Sequence, residues 1–124
     1  MNTYSVEIKE TNRKLTAKER ISIKDTTSCF KLDEATQVED VIIYPVLWAI
    51  LSVHNEKSEN PDYEVYVVVD KSGKKYVTGS QSFWNAFVTI YDEMAGEDEE
   101  WGLRIYRIPS KNYKGKEFIT CTII

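Results

Sequence analysis

Residues 81–95, QSFWNAFVTIYDEMA, place Phe83, Phe87, Ile90 and Met94 at intervals of four, three and four. That spacing is one stripe of an α-helix, and Trp84, Val88 and Tyr91 widen it into an aromatic-rich face. Ser80 or Ser82 can cap the start of such a helix and Gly96 can stop it. Phe83, Phe87, Ile90 and Met94 are therefore expected in the core.

Around this helix the hydrophobic period falls to two. Tyr63, Val65, Val67 and Val69 alternate with Glu64, Tyr66 and Val68, and the turn residues Asp70, Lys71, Ser72 and Gly73 lead back into a strand at 74–78. Upstream, residues 41–53 are almost all apolar, but Pro45 forces a break or an edge position and biases Tyr44 toward an extended conformation. Leu47 to Val53 then reads as a buried strand, which completes a three-strand meander. Downstream of the helix, 103–108 and 117–123 form a hairpin joined by PSKNYKGK, residues 109–116. The first 35 residues carry two short alternations, Tyr4/Val6/Ile8 and Ile21/Ile23, on either side of a polar stretch. They are expected to be two strands and a loop.

Three meandering strands, a helix and a hairpin follow the element order of the oligonucleotide/oligosaccharide-binding (OB) barrel. The expected fold is α+β and mostly β: over residues 41–124 an OB-like five-stranded barrel, or a twisted antiparallel sheet with one packed helix, with residues 1–35 as an N-terminal β extension. A chain of 124 residues makes this a single domain. With 42% hydrophobic and 29% charged residues but three prolines and five glycines, the composition excludes disordered, low-complexity and fibrous classes.

Little in the sequence points to catalysis. His54 is the only histidine and has no partner at metal-ligand spacing, and no GxGxxG or GxxxxGK[ST] loop is present to cradle a phosphate. The acidic run Asp92, Glu93, Glu97, Asp98, Glu99 and Glu100 lacks the alternating ligands and central glycine of a calcium loop. No enzyme, metal or cofactor is expected. Cys29 and Cys121 form neither a CxxC pair nor a disulfide framework, so both read as small buried hydrophobes of a reducing compartment. The N-terminus has no basic and apolar leader pattern, and the apolar run 41–53 is shorter than the roughly 18 residues that crossing a bilayer requires. A cytosolic protein is expected.

The net charge of −4 removes the simplest argument for nucleic-acid binding, a uniformly basic chain. The cations are nevertheless segregated. Between Gly102 and Lys116 stand Arg104, Arg107, Lys111, Lys114 and Lys116 with no acid among them, and between Lys71 and Tyr91 stand Lys71, Lys74 and Lys75, again with none. Tyr76 accompanies one group; Tyr106, Tyr113 and, just beyond, Phe118 accompany the other. Cations that neutralise phosphates beside rings that stack on unpaired bases suit single-strand binding without sequence recognition. The candidate nucleic-acid-binding set is therefore Lys74, Lys75, Tyr76, Arg104, Tyr106, Arg107, Lys111, Tyr113, Lys114, Lys116 and Phe118. The competing interpretation is that the lysines keep turns soluble while Tyr106 and Phe118 fill a second layer of core beneath the helix.

The stretches KKYVTGSQSFWNAF, residues 74–87, and PSKNYKGKEFITCTI, residues 109–123, resemble small replication-module proteins of phages and mobile elements of Gram-positive bacteria, a group regarded as single-stranded DNA-binding. The likeness covers the C-terminal half of the chain and carries over no site residues. It implies a non-enzymatic protein of phage DNA replication or recombination in the cytoplasm of a bacterial host. The implied partners are single-stranded DNA and phage or host replication and recombination proteins, with homo-oligomer formation left open. The alternative is a phage accessory protein that inhibits a host defence protein, its acidic 92–100 segment imitating nucleic acid.

Overall fold

Pro45 marks the point where the chain leaves one sheet for another. In a computed structural model, which describes residues 4–112 and 114–124, the elements are β1 (Tyr4–Thr11), α1 (Ala17–Lys24), β2 (Phe30–Lys31), α2 (Leu32–Val38), β3 (Val41–Ile43), β4 (Pro45–Asn55), β5 (Asp62–Asp70), β6 (Lys75–Thr78), α3 (Gln81–Met94), β7 (Leu103–Pro109) and β8 (Glu117–Ile123). The strands form two sheets, ordered β1-β4-β5-β6-β2 and β3-β7-β8. β3 lies in the smaller sheet and β4 in the larger, so only Tyr44 separates them. The β5–β6 turn anchors this junction: the Tyr44 N–H donates to Asp70 Oδ1 at 2.6 Å and the Lys71 N–H to the Tyr44 carbonyl at 2.9 Å. Gly102, at the entry to β7, is needed here because a Cβ would lie 2.7 Å from the Tyr44 ring.

The larger sheet is covered on both faces. On one, Leu47, Ala49, Leu51, Val67 and Val77 pack with Leu15 and with Ile23 of α1. On the other, Tyr66, Val68 and Tyr76 meet Phe83, Trp84 and Phe87 of α3 and the inner residues Leu103, Ile105, Ile119 and Cys121 of the smaller sheet. Two-sided burial explains why β5 reads Tyr-Val-Val-Val without polar relief. The expected helix is present with Ser80 as its N-cap, the serine oxygen accepting the Phe83 N–H at 3.2 Å. Phe83 and Phe87 are fully buried, Trp84 lies flat against Tyr66 with ring centroids 4.7 Å apart, and Ile90 packs against the core from its edge. Met94, at the helix end, is half-buried and outside the core cluster.

The strand-rich α+β class, the meander β4-β5-β6 and the final hairpin are as expected, but neither sheet closes, so the strands form open sheets. The N-terminal region is also different. β1 is no added arm: it pairs with β4 from Tyr4↔Asn55 to Thr11↔Ala49 as an edge strand of the larger sheet. Ile21 and Ile23 lie in α1, where Ile23 is buried and Ile21 is 73% exposed. The Thr16/Glu19 capping box that starts α1 outweighs the alternation, Thr16 Oγ1 accepting the Glu19 N–H at 3.2 Å and Glu19 accepting the Thr16 N–H at 2.9 Å. β2 joins β6 in parallel, so the larger sheet is mixed. α2, unanticipated, straps the sheets together: Thr78 of β6 donates to the Asp33 carboxylate at 3.1 Å, and Arg107 of β7 donates to Thr36 Oγ1 at 3.0 Å. Among the described residues no helix is long and apolar enough to cross a membrane.

Candidate nucleic-acid interface

Antiparallel register sorts the side chains of the smaller sheet. Residues directly opposite share a face, and the pairs Ile42↔Arg104, Arg104↔Thr122, Tyr106↔Thr120 and Ile108↔Phe118 put all these side chains on the side away from the core. Leu103, Ile105, Ile119 and Cys121 take the inner side. Tyr106, Ile108 and Phe118 are half-buried and belong to neither core cluster. They do not form a second layer beneath α3, which packs with the inner residues. The N-terminal turn of α3 is fixed to β8 by Ser82 Oγ, which donates to the Ile119 carbonyl at 2.9 Å.

Of the candidate residues, Arg104, Tyr106 and Phe118 come together on this outer face. The Arg104 guanidinium carbon lies 4.6 Å from the Tyr106 ring centroid, and Nη1 is 3.6 Å from the Asp40 carboxylate. Lys111, Lys114 and Lys116 are exposed in the segment joining β7 to β8, whose base is closed by the Ser110 N–H donating to the Lys116 carbonyl at 2.8 Å. Gly115 turns the segment with φ of 82°. Tyr113 lies outside the described residues.

The other candidates sit elsewhere. Arg107 faces the opposite way from Tyr106 and is engaged with α2, through Thr36 and the Asp33 carbonyl. Lys75 caps α1 and the turn after it, donating to the Ser22 carbonyl at 2.6 Å and the Asp25 carbonyl at 3.1 Å. Tyr76 is only 9% exposed and packs in the core, so a base cannot stack on it without rearrangement. Lys74 is exposed, with Nζ 5.7 Å from the Phe30 ring centroid. The basic stretch around β6 thus serves the helix and strand beside it. Ile42, Ile108, Thr120 and Thr122 were missed as members of the outer face. Alternation in β7 and β8 could have supplied the last three, but Ile42 joins through a pairing distant in sequence.

Charge is segregated along the smaller sheet. The three lysines cluster at the hairpin end, whereas the acidic stretch 92–100 precedes the start of β7 at the opposite end. A seven-residue strand separates them by about 20 Å. Asp92, Glu93, Glu97, Asp98, Glu99 and Glu100 are all exposed, and Glu100 pairs with Lys71.

Three other features lie outside this face. His54 Nδ1 is 2.7 Å from Asp62 Oδ1 across the base of the β4–β5 hairpin, and this hydrogen bond, with help from Glu56, raises the imidazole pKa. Cys29 is half-buried, and burial drives the Cys121 thiol up to about 12. A cavity of about 230 Å³ on the α1 side of the larger sheet is floored by Val53, Val65 and Val77. Lys31 is the one cation among its lining residues, so it is ill suited to a polyanionic strand.

No family model matches the chain, and neither does any curated protein or solved structure.

Proposed function

We propose that the chain is a non-enzymatic single-stranded DNA-binding protein acting in phage DNA replication or recombination within the bacterial cytoplasm. The outer face of β3-β7-β8 carries the proposal: it holds the half-buried rings of Tyr106 and Phe118, with Arg104 over Tyr106 and a lysine-rich turn beyond Phe118. Tyr106 lies opposite Thr120 and Phe118 opposite Ile108, so the two rings hold diagonal positions on neighbouring strands. Such positions are about 7–8 Å apart, a span that suits two successive unpaired bases splayed across the sheet. Arg104, Lys111, Lys114 and Lys116 then meet the phosphates, and neither stacking nor charge neutralisation reads the base edges. A closed OB-like barrel is not required, because an open sheet offers the same flat platform. Replication and recombination proteins, and further copies of the chain, are the expected secondary partners.

The exposed carboxylates of 92–100 favour one other reading, a phage accessory protein that binds a basic host protein through this segment. Titrating a fluorescent oligo-dT with the protein at low and moderate salt separates the two. Binding at low salt that weakens as salt rises supports the strand reading. Absence of binding at low salt overturns it in favour of the protein partner.

A further inference from the structure

Among the described strand residues of the outer face Arg104 is the one cation, and it is already engaged on two sides. Its guanidinium covers the Tyr106 ring at 4.6 Å, and its Nη1 lies 3.6 Å from Asp40 Oδ2. Asp40 immediately precedes β3. Extending the Val41↔Ile105 register by one residue brings it level with Tyr106 on the outer face. The Arg104 and Asp40 side chains are 46% and 52% exposed, so their ion pair is water-screened and exchangeable. A carboxylate and a phosphodiester both present oxygens to a guanidinium, and the phosphate is an equally good acceptor.

We infer that Asp40 is a built-in stand-in for a DNA phosphate, holding Arg104 across Tyr106 until a strand displaces it. This rests on the reading of the outer face as a strand-binding surface. In the free protein the subsite has no net charge and one face of its stacking ring is covered. When a nucleotide arrives, its phosphate takes the place of Asp40 on Arg104 and its base takes the uncovered ring. Asp40 thereby sets both the affinity of the face and its sensitivity to salt. While Arg104 remains paired, it adds little to the count of neutralised phosphates.

A double-mutant cycle with oligo-dT tests this, using wild type, Asp40→Asn, Arg104→Gln and the double variant. Asp40→Asn is expected to tighten binding about two- to fivefold, the range that breaking an exposed ion pair allows. It is also expected to steepen the salt dependence by up to about 0.7, one additional phosphate contact on a single strand. In the Arg104→Gln background both effects should vanish, and Glu39→Gln, which removes a neighbouring charge, should change little. An equal gain from Asp40→Asn in both backgrounds would make Asp40 a bulk charge and overturn the inference while leaving the strand reading intact. If wild type and every variant fail to bind at low salt, both fall together. A readout without DNA is the Arg104 Nε–H resonance: it should shift in Asp40→Asn, and an unmoved resonance overturns the latch.

Discussion

Oδ1 of Asp70 accepts the backbone N–H of Tyr44 at 2.6 Å, while its other oxygen accepts the Ser72 N–H at 2.8 Å. One carboxylate thus ties the β5–β6 turn to the place where the chain changes sheets. Burial raises the pKa of this group, but the hydrogen bonds from Ser72 and Tyr44 outweigh it and hold the carboxyl below its ordinary value. A depressed carboxylate stabilises the fold above its unfolded pKa of about 4, and that contribution is lost as pH falls through the folded value. Asp70→Asn is expected to cost about 1.5–3 kcal/mol at neutral pH. Urea melts should show the gap from wild type narrowing below pH 4.

Phe87 and Tyr106 should separate core from surface. Phe87 is fully buried between the two sheets, so Phe87→Ala is expected to cost about 3–5 kcal/mol. Tyr106→Ala and Phe118→Ala remove rings that belong to neither core cluster and should cost less than about 1 kcal/mol of stability. Each should nevertheless weaken oligo-dT binding by about 1–3 kcal/mol if a base stacks there. Denaturant melts and binding titrations on the same three variants check both halves. A large stability loss from Tyr106→Ala would mean that the ring is structural.

The lysines of the hairpin and the inward-facing Arg107 should likewise part company. Replacing Lys111, Lys114 and Lys116 together with Ala is expected to make the salt dependence of binding shallower by about two units, at roughly 0.7 per phosphate contact. Arg107→Ala should leave the slope nearly unchanged but lower stability by about 1–3 kcal/mol, because Thr36 and the α2 backbone lose their donor. A salt series combined with thermal melts distinguishes the two behaviours. If Arg107→Ala flattens the slope as strongly as a lysine, its side chain reaches DNA and the site extends past the outer face of the smaller sheet.

His54 gives a pH signature of opposite sign to that of Asp70. Its pKa is raised, chiefly by the hydrogen bond to Asp62. The imidazolium therefore contributes stability that is fully present below the unfolded pKa of about 6.5 and is lost as pH climbs through the folded value. The Tm gap between wild type and His54→Gln should be wider at pH 5.5 than at pH 8.5. Equal gaps at the two pH values would show that the Asp62 contact does not stabilise the hairpin.

Local patterns made part of this fold legible and non-local ones hid the rest. The period of Phe83, Phe87 and Ile90 with Ser80 in front is enough to place α3, and alternation with a turn at 70–73 places β5 and β6. At Ile21 and Ile23 the alternation was accidental, and the start signal at Thr16 and Glu19 was the better guide. Whether the strands close into a barrel depends on pairings such as β3 with β7 and β1 with β4, which link distant parts of the chain and leave no mark on either segment alone. The candidate site was legible to the same degree. Residue type singles out Arg104 and Arg107 equally, yet strand parity sends one to the open face and the other to α2. Lys75 and Tyr76 have the chemistry of a binding site, but the α1 carbonyls and the core use it first.

The pairing of Val41 with Ile105 also dictates an order of events during translation. β3 emerges from the ribosome well before β7 and β8 exist, and until they arrive its Ile42 and Ile43 have no strand to join. Such waiting edges are where nascent chains find wrong partners, so slow delivery of the hairpin should favour aggregation. The same schedule has a protective side. The outer face joins β3 to a hairpin made much later in this sequence, so a growing polypeptide has no platform for a nucleic acid until the hairpin has been made and docked.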